Sequence, residues 1–199
     1  AKRILIKAGF SEDLLDTFCR DLVQSNLSSI DAFLEQRESE YKQVGKMAIA
    51  ATLIPHESPD RLVRKQDKQE WYEYLYSLLG TKHIEFPKYH LTIITFNYDR
   101  SLEYFLFNSL KFSYGMNDKE TLNLFRTIRI VHVYGQLGKP HFDDPSGRSY
   151  STELTPDAVE KAANDITIIH EGNSNSASIE RAHDLIAEAG VLCFLGFGY

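Results

Sequence analysis

Short apolar runs that alternate with helical patterns in the second half of the chain most constrain its fold. The runs are LTIITF (91–96), TIRIVHVYG (127–135), ITII (166–169) and VLCFLG (191–196). Continuous apolar runs of this length are typical of strands buried on both faces. The helical patterns between them cover 99–110, 118–126, 155–164 and 176–189. This alternation predicts an α/β fold of three layers, in which a mostly parallel sheet lies between helices.

The first half of the chain instead predicts helices. Capping residues, apolar stripes at helical spacing and helix-ending prolines recur there. They include Ser11, Ser28 or Ser29, the apolar run 41–54 before Pro55, and the stripe 71–79. We therefore expect a single domain over 1–199, with a helical insertion at about 12–80 and a strand-rich core at about 88–199.

Composition excludes several classes of protein. With 43% hydrophobic and 25% charged residues, the composition is typical of a globular protein. The length of 199 residues corresponds to about one domain. The formal net charge of −6 argues against direct nucleic-acid binding, and no apolar run reaches the ~18 residues of a membrane span. Cys19 and Cys193 lie in apolar stretches, which indicates a reducing, cytoplasmic location. Because the chain starts at Ala1 and ends after an apolar run, we expect it to be a fragment of a longer protein.

Polar and glycine residues follow three of the four apolar runs. In sheets of parallel strands, ligands bind beyond the carboxyl ends of the strands. The residues at these points are Asn97 and Asp99 after the first run, His132 and Gly135 at the end of the second, and Gly196, Phe197 and Gly198 after the last. The sequence therefore predicts a ligand site at the strand ends.

These segments carry a resemblance to a known family. TFNYD (95–99) resembles the T-x-N-x-D segment of the sirtuin (SIR2) superfamily, and more closely its TTNYD form in prokaryotic sirtuin-like proteins. VHVYG (131–135) is similar to the family's strand end around its histidine, and LGFG (195–198) to its late glycine turn. Residues 29–46 also resemble the helical region of sirtuin-like defence proteins, so the motifs span about 28–199 in the family's order. The family's Rossmann-like fold is the three-layer arrangement expected above.

The resemblance implies that the chain binds NAD. In this family the Asn and Asp after the strand contact nicotinamide and its ribose, and the His lies near the ribose hydroxyls. The resemblance assigns catalysis to Asn97 and His132. It assigns cofactor binding to Thr95, Phe96, Asp99, Gly135, Gly196, Phe197 and Gly198. The implied activity is hydrolysis of the nicotinamide–ribose bond, in prokaryotic anti-phage defence, often with a fused or associated effector domain. Assembly into a homo-oligomer is a further expectation.

The chemistry of this bond explains those residue types. Its cleavage passes through a transition state in which positive charge develops on the ribose. The neutral carboxamide of Asn97 can orient water or nicotinamide, and the carboxylate of Asp99 can stabilise the positive charge. The imidazole of His132 can accept a proton from a ribose hydroxyl or from the attacking water.

Two departures from the family pattern refine the expected activity. Residues 136–190 contain no cysteine, so the four-cysteine zinc module of protein-deacylating sirtuins is absent and no metal is expected. This disfavours a deacylase and favours either an NAD hydrolase or a catalytically silent domain that senses NAD or ADP-ribose. The segment KAGFS (7–11) resembles the phosphate-binding loop, but Lys7 replaces its first glycine. We expect this match to be fortuitous and the true loop to lie upstream of Ala1.

Simpler structural explanations exist for the same residues. Asp99 is a suitable helix cap, His132 could be a core histidine with satisfied hydrogen bonds, and the late glycines could form a plain turn. Gly45 with Lys46 resembles only the end of a phosphate loop, and the group around His141 matches no known metal spacing.

Overall fold

The structure, a computed structural model, describes residues 1–63, 71–79, 91–168 and 177–195. Within these ranges the chain forms ten α-helices, a 3-10 turn at Ile54–His56 and two β-strands. The helices are α1 (Lys2–Lys7), α2 (Glu12–Gln24), α3 (Ile30–Gln36), α4 (Glu38–Leu53), α5 (Pro59–Val63), α6 (Trp71–Leu78), α7 (Ser101–Tyr114), α8 (Asp118–Phe125), α9 (Pro156–Asn164) and α10 (Ala177–Glu188). The strands are β1 (Thr92–Thr95) and β2 (Arg129–His132).

Side-chain caps start several of these helices, two of them at serines that the sequence predicts. Ser11 and Ser29 each accept a hydrogen bond from the backbone amide three residues on, at 3.2 Å and 3.1 Å. Thr155 caps α9 in the same way, and Asn117 forms a capping box with Glu120 at the start of α8. No helix in the described part of the chain is long and apolar enough to cross a membrane.

The three-layer Rossmann-like fold expected from the sequence is wrong. The described residues contain one sheet, and it has only two strands. β1 and β2 pair in parallel, from Thr92 opposite Arg129 to Thr95 opposite His132. The first two apolar runs are therefore strands, as predicted, but they do not belong to a larger sheet within the described ranges. Among the other described residues of the expected strand-rich half, the regular elements are the helices α7 to α10.

The other two apolar runs do not form strands in their described parts. In the third run, Ile166 makes a single antiparallel bridge with Gly135, and Ile166 and Ile168 are buried among helices. In the fourth, residues 191–195 have no strand pairing and are exposed, with Val191 at 83%. Apolar character predicts burial or pairing only where a partner surface is present, and it does not distinguish a strand from other apolar chain.

Two clusters of buried side chains hold the molecule together. The first core is formed mainly by α1 to α4 and α9, and Leu34 and Ala50 are fully buried in it. The second core is formed by α6, α7 and α8, with Leu106 and Leu110 at its centre. Ile93 and Ile130 of the sheet pack against the second core. The segment after β1 therefore lies where the two cores meet.

Candidate functional site at the strand ends

The parallel register brings the first two strand-end motifs of the sequence to one edge of the sheet. Thr95 is the partner of His132 at the carboxyl ends of both strands. The Val133 amide donates a 3.0 Å hydrogen bond to the Thr95 carbonyl, which extends the pairing by one residue. Asn97 and Asp99 follow directly from this edge. The remaining predicted ligand contacts, Gly196, Phe197 and Gly198, lie outside the described residues.

The loop of residues 96–100, here called the Asn97 loop, is anchored at several points. The Asn97 amide donates to the Thr95 hydroxyl oxygen at 3.1 Å. The Leu137 amide donates to the Tyr98 carbonyl at 2.8 Å, and the Tyr98 hydroxyl donates to Asp31 of α3 at 2.8 Å. The loop is thereby fixed to the first core, while Asn97 itself remains exposed.

Phe96 and Asp99 have identifiable structural contacts. Asp99 Oδ1 accepts a 3.1 Å hydrogen bond from the amide of Ser101, the first residue of α7, while the N-cap position itself is Arg100. Phe96 is 52% exposed, and its ring centroid lies 5.7 Å from that of Tyr134. The contact with Ser101 gives Asp99 a structural role at the start of α7. The half-buried carboxylate still lies at the strand ends.

Both ring nitrogens of His132 are occupied by protein groups. Nδ1 lies 2.8 Å from the Asn97 carbonyl oxygen, and Nε2 pairs with Oε1 of Glu103 on α7. A carbonyl oxygen only accepts, so Nδ1 must carry a proton. Nε2–H facing a carboxylate completes an imidazolium–carboxylate pair, whose side chains are 9% and 6% exposed.

The surroundings of His132 act on its charge in opposite directions. Burial alone would lower the pKa of the imidazole, because it disfavours the charged form. The hydrogen bond and negative charge of Glu103 outweigh burial, with smaller contributions from the Asn97 carbonyl and from Asp99, so the pKa of His132 is raised. The charged imidazolium, which has no free lone pair, is therefore more favoured here than for a histidine in solvent.

Glu103 is a site residue that the sequence analysis missed. It is 4% exposed, and its second oxygen, Oε2, is buried without a hydrogen-bond partner in the described part of the chain. On α7 it lies in the same row as Leu106, Phe107 and Leu110, which are all buried. A lone carboxylate within an apolar helical stripe is the signal that could have identified it.

Gly135 has a structural role at this edge. Its φ is +76°, and a Cβ atom there would lie 1.9 Å from the Asp165 carbonyl oxygen. The Gln136 amide donates to that oxygen at 3.2 Å, and the Thr167 amide donates to the Tyr134 carbonyl at 2.8 Å. Close packing of two backbone segments therefore requires glycine here, whether or not a ligand binds.

A buried charged triad lies directly behind the Asn97 loop. Arg100 pairs with Glu57 through two hydrogen bonds of 2.9 Å and 2.7 Å, and Arg148 pairs with the same carboxylate. The other N–H groups of Arg100 donate to the carbonyls of Lys139, Arg148 and Ser149. All five donors of Arg100 are thus used within the protein, so it holds the fold together and offers none to a ligand.

A cleft of about 240 Å³ opens beside the triad. Tyr104 and Tyr150 form part of its lining and stack on each other with ring centroids 4.1 Å apart. Burial raises the pKa of Tyr150 to about 12, and its hydroxyl lies 3.0 Å from the Ser101 hydroxyl. The cleft is smaller than the roughly 300–1,000 Å³ of most ligand pockets, so it could accommodate only part of a dinucleotide.

The remaining candidate motifs have structural contexts unlike those of a phosphate or metal site. A helix, α1, leads into the segment 7–11, whereas a phosphate-binding loop of this kind follows a strand. Gly45 lies within α4, where an added Cβ would be 2.4 Å from a Leu34 methyl carbon, so it serves helix packing. Among the residues that the structure describes, no three His, Cys, Asp or Glu side chains are grouped as metal ligands would be.

The chain matches no known protein family model, no characterised protein and no solved structure.

Proposed function

We propose that the strand-end site binds NAD and hydrolyses its nicotinamide–ribose bond. The observation that carries the proposal is the parallel register of β1 and β2, since it brings Asn97, Asp99 and His132 to one edge. These are the three residue types that the bond cleavage calls for, on the two motifs that resemble sirtuin-like proteins. The support is local, because the described residues do not form that family's three-layer fold. A role in anti-phage defence rests on the motif resemblance.

Asn97 is the residue best placed to act on a ligand. It makes its hydrogen bonds to Thr95 and His132 through its backbone, and it is exposed. Its carboxamide is thus available to orient the nicotinamide group or the attacking water. Asp99 lies two residues further on, and its charge acts on the same region, as its effect on His132 indicates. A carboxylate there stabilises positive charge that develops on the ribose.

His132 needs a rearrangement before it can accept a proton. Its Nδ1–H donates to the Asn97 carbonyl and its Nε2–H faces Glu103, so neither nitrogen has a free lone pair. Proton transfer to His132 requires the contact with Asn97 to open and the Nδ1 proton to pass to a solvent water molecule. We assign this opening to the arrival of the ligand at the Asn97 loop.

The test is turnover of a fluorescent NAD analogue together with direct detection of released nicotinamide. We expect Asn97→Ala to lower turnover by about 10²-fold or more, since it removes a positioned polar group from the reaction. Its melting temperature should match that of the wild type because the Asn97 side chain is exposed.

Asn123→Ala is the matched control, because Asn123 is an exposed asparagine on α8 away from the strand ends. It should retain full turnover. Absence of turnover in the wild type, or equal turnover in the Asn97 and Asn123 variants, would contradict the proposal.

A second candidate is an NAD- or ADP-ribose-binding domain without turnover. The double engagement of His132 favours it, because an imidazolium held on both sides is a fixed donor and a poor base. Calorimetric binding of NAD by the wild type, lost in Asn97→Ala and unaccompanied by nicotinamide release, would identify this function.

A further inference from the structure

We propose that Glu103 is a positioning residue for the Asn97 loop, acting through His132. The proposal concerns which residue sets the geometry of the strand-end site. It rests on the proposed function only where NAD turnover is used to test it.

Two consecutive hydrogen bonds connect Glu103 to the loop. Glu103 on α7 holds Nε2 of His132 on β2, and Nδ1 of the same ring holds the Asn97 carbonyl at 2.8 Å. Three separate segments, a helix, a strand and the loop after the neighbouring strand, are thereby linked through one imidazole. Because the Asn97 carbonyl and side chain share a Cα atom, fixing the carbonyl restricts the direction of the exposed carboxamide.

The burial of Glu103 indicates a specific role for its charge. A carboxylate at 4% exposure is strongly disfavoured unless it is paired, and a leucine would complete the apolar row with Leu106 and Leu110. The pairing that compensates for burial is the one with His132. Oε2 of Glu103 has no hydrogen-bond partner among the described residues, so within them the carboxylate is held through its contact with His132. These features are accounted for if the carboxylate is there to hold the imidazole.

The test compares Glu103→Leu, Glu103→Gln and the control Glu160→Gln, whose residue is exposed on α9. The first readout is hydrogen–deuterium exchange of the amides of residues 96–100, which requires no ligand. In Glu103→Leu we expect exchange there to rise by about tenfold or more, since the loop opens locally, while α2 and α4 stay protected. The control should match the wild type.

Glu103→Gln separates hydrogen bonding from charge. The glutamine amide can donate to Nε2 of a neutral imidazole whose Nδ1–H still holds Asn97, so the loop should stay protected. An NMR titration should nevertheless find the pKa of His132 lower than in the wild type, because the negative charge is gone. An unchanged pKa in this variant would overturn the proposal even if Glu103→Leu fails to fold.

The second readout is NAD turnover, where a misplaced Asn97 should lower kcat by about 10²-fold in Glu103→Leu and much less in Glu103→Gln. If the wild type neither binds nor turns over NAD, the proposed function fails, and exchange still decides the positioning role. Unchanged exchange at 96–100 in a folded Glu103→Leu protein would overturn the positioning role. If the wild type turns over NAD, faster exchange at 96–100 in Glu103→Leu with unchanged turnover would also overturn the positioning role.

Discussion

Gly135 belongs to a strand-end motif, and its backbone gives it a physical reason to be glycine. Its positive φ and the approach of the Asp165 carbonyl are two separate constraints. Gly115, the C-cap of α7, has a similar φ of +63° but nothing within 4 Å of an added Cβ. The two glycines therefore form a matched pair that separates backbone strain from crowding.

We expect Gly115→Ala to lower the free energy of unfolding by about 1–2 kcal/mol, which is the cost of the left-handed conformation for an L-residue. Gly135→Ala should lower it by a further 1–3 kcal/mol or so, because the methyl group must displace the backbone near Asp165. Urea denaturation of both variants measures the difference. Equal losses in the two variants would mean that crowding at Gly135 is relieved at no cost.

At the scale of elements, features that depend on neighbours along the chain were predictable. The caps at Ser11 and Ser29 depend on the next three residues, so their position follows from the sequence. Strand formation depends on a distant partner backbone. The runs at 91–96 and 127–135 pair with each other, whereas residues 191–195 form no strand within the described ranges. The wrong fold class resulted from counting four strands where two are paired among the described residues.

The candidate site also contains some features that the local sequence predicts and others that it does not. The position of Asn97 and His132 at strand ends followed from local apolar patterns, and the register of the sheet agrees with it. The link between His132 and Glu103 joins residues 29 positions apart on different elements. No local pattern specifies such a pair, because it depends on how α7 packs against the sheet. The same applies to the contact between Glu57 and Arg100.

The crossing of α3 and α4 offers a prediction at this scale. A Cβ at Gly45 would meet the side chain of Leu34, which is fully buried and has little room to move. Gly45→Ala should therefore lower the free energy of unfolding by about 1–3 kcal/mol, despite the better helix propensity of alanine.

A Leu34→Ala background removes the side-chain carbons that an added Cβ at Gly45 would meet. There Gly45→Ala should be neutral or stabilising by up to about 1 kcal/mol, which is the propensity term alone. A double-mutant cycle by chemical denaturation measures this reversal of sign. The same loss in both backgrounds would show that Gly45 is required for another reason.

For the whole molecule, the buried triad of Glu57, Arg100 and Arg148 connects parts that are distant in sequence. Glu57 follows the 3-10 turn after α4 in the first core, and Arg100 directly precedes α7 of the second core. Arg148 ties in the segment after β2, because its guanidinium donates to the Leu137 carbonyl at 3.1 Å and 2.9 Å. Two buried guanidiniums share one carboxylate, so the triad stays favourable only while that negative charge is present.

Glu57→Gln tests this dependence, because it keeps the shape of the side chain and removes the charge on which both guanidiniums rely. We expect a loss of about 3–5 kcal/mol in the free energy of unfolding, as for other buried ion pairs broken on one side. Glu38→Gln is the matched control, since Glu38 makes an exposed pair with Lys42 at 2.8 Å and should change stability by less than about 1 kcal/mol. Urea denaturation followed by far-ultraviolet circular dichroism measures both. Since the triad joins the two cores, the Glu57 variant should also unfold over a broader range of urea, and a small loss with an unchanged slope would show that the cores are held together by apolar packing instead.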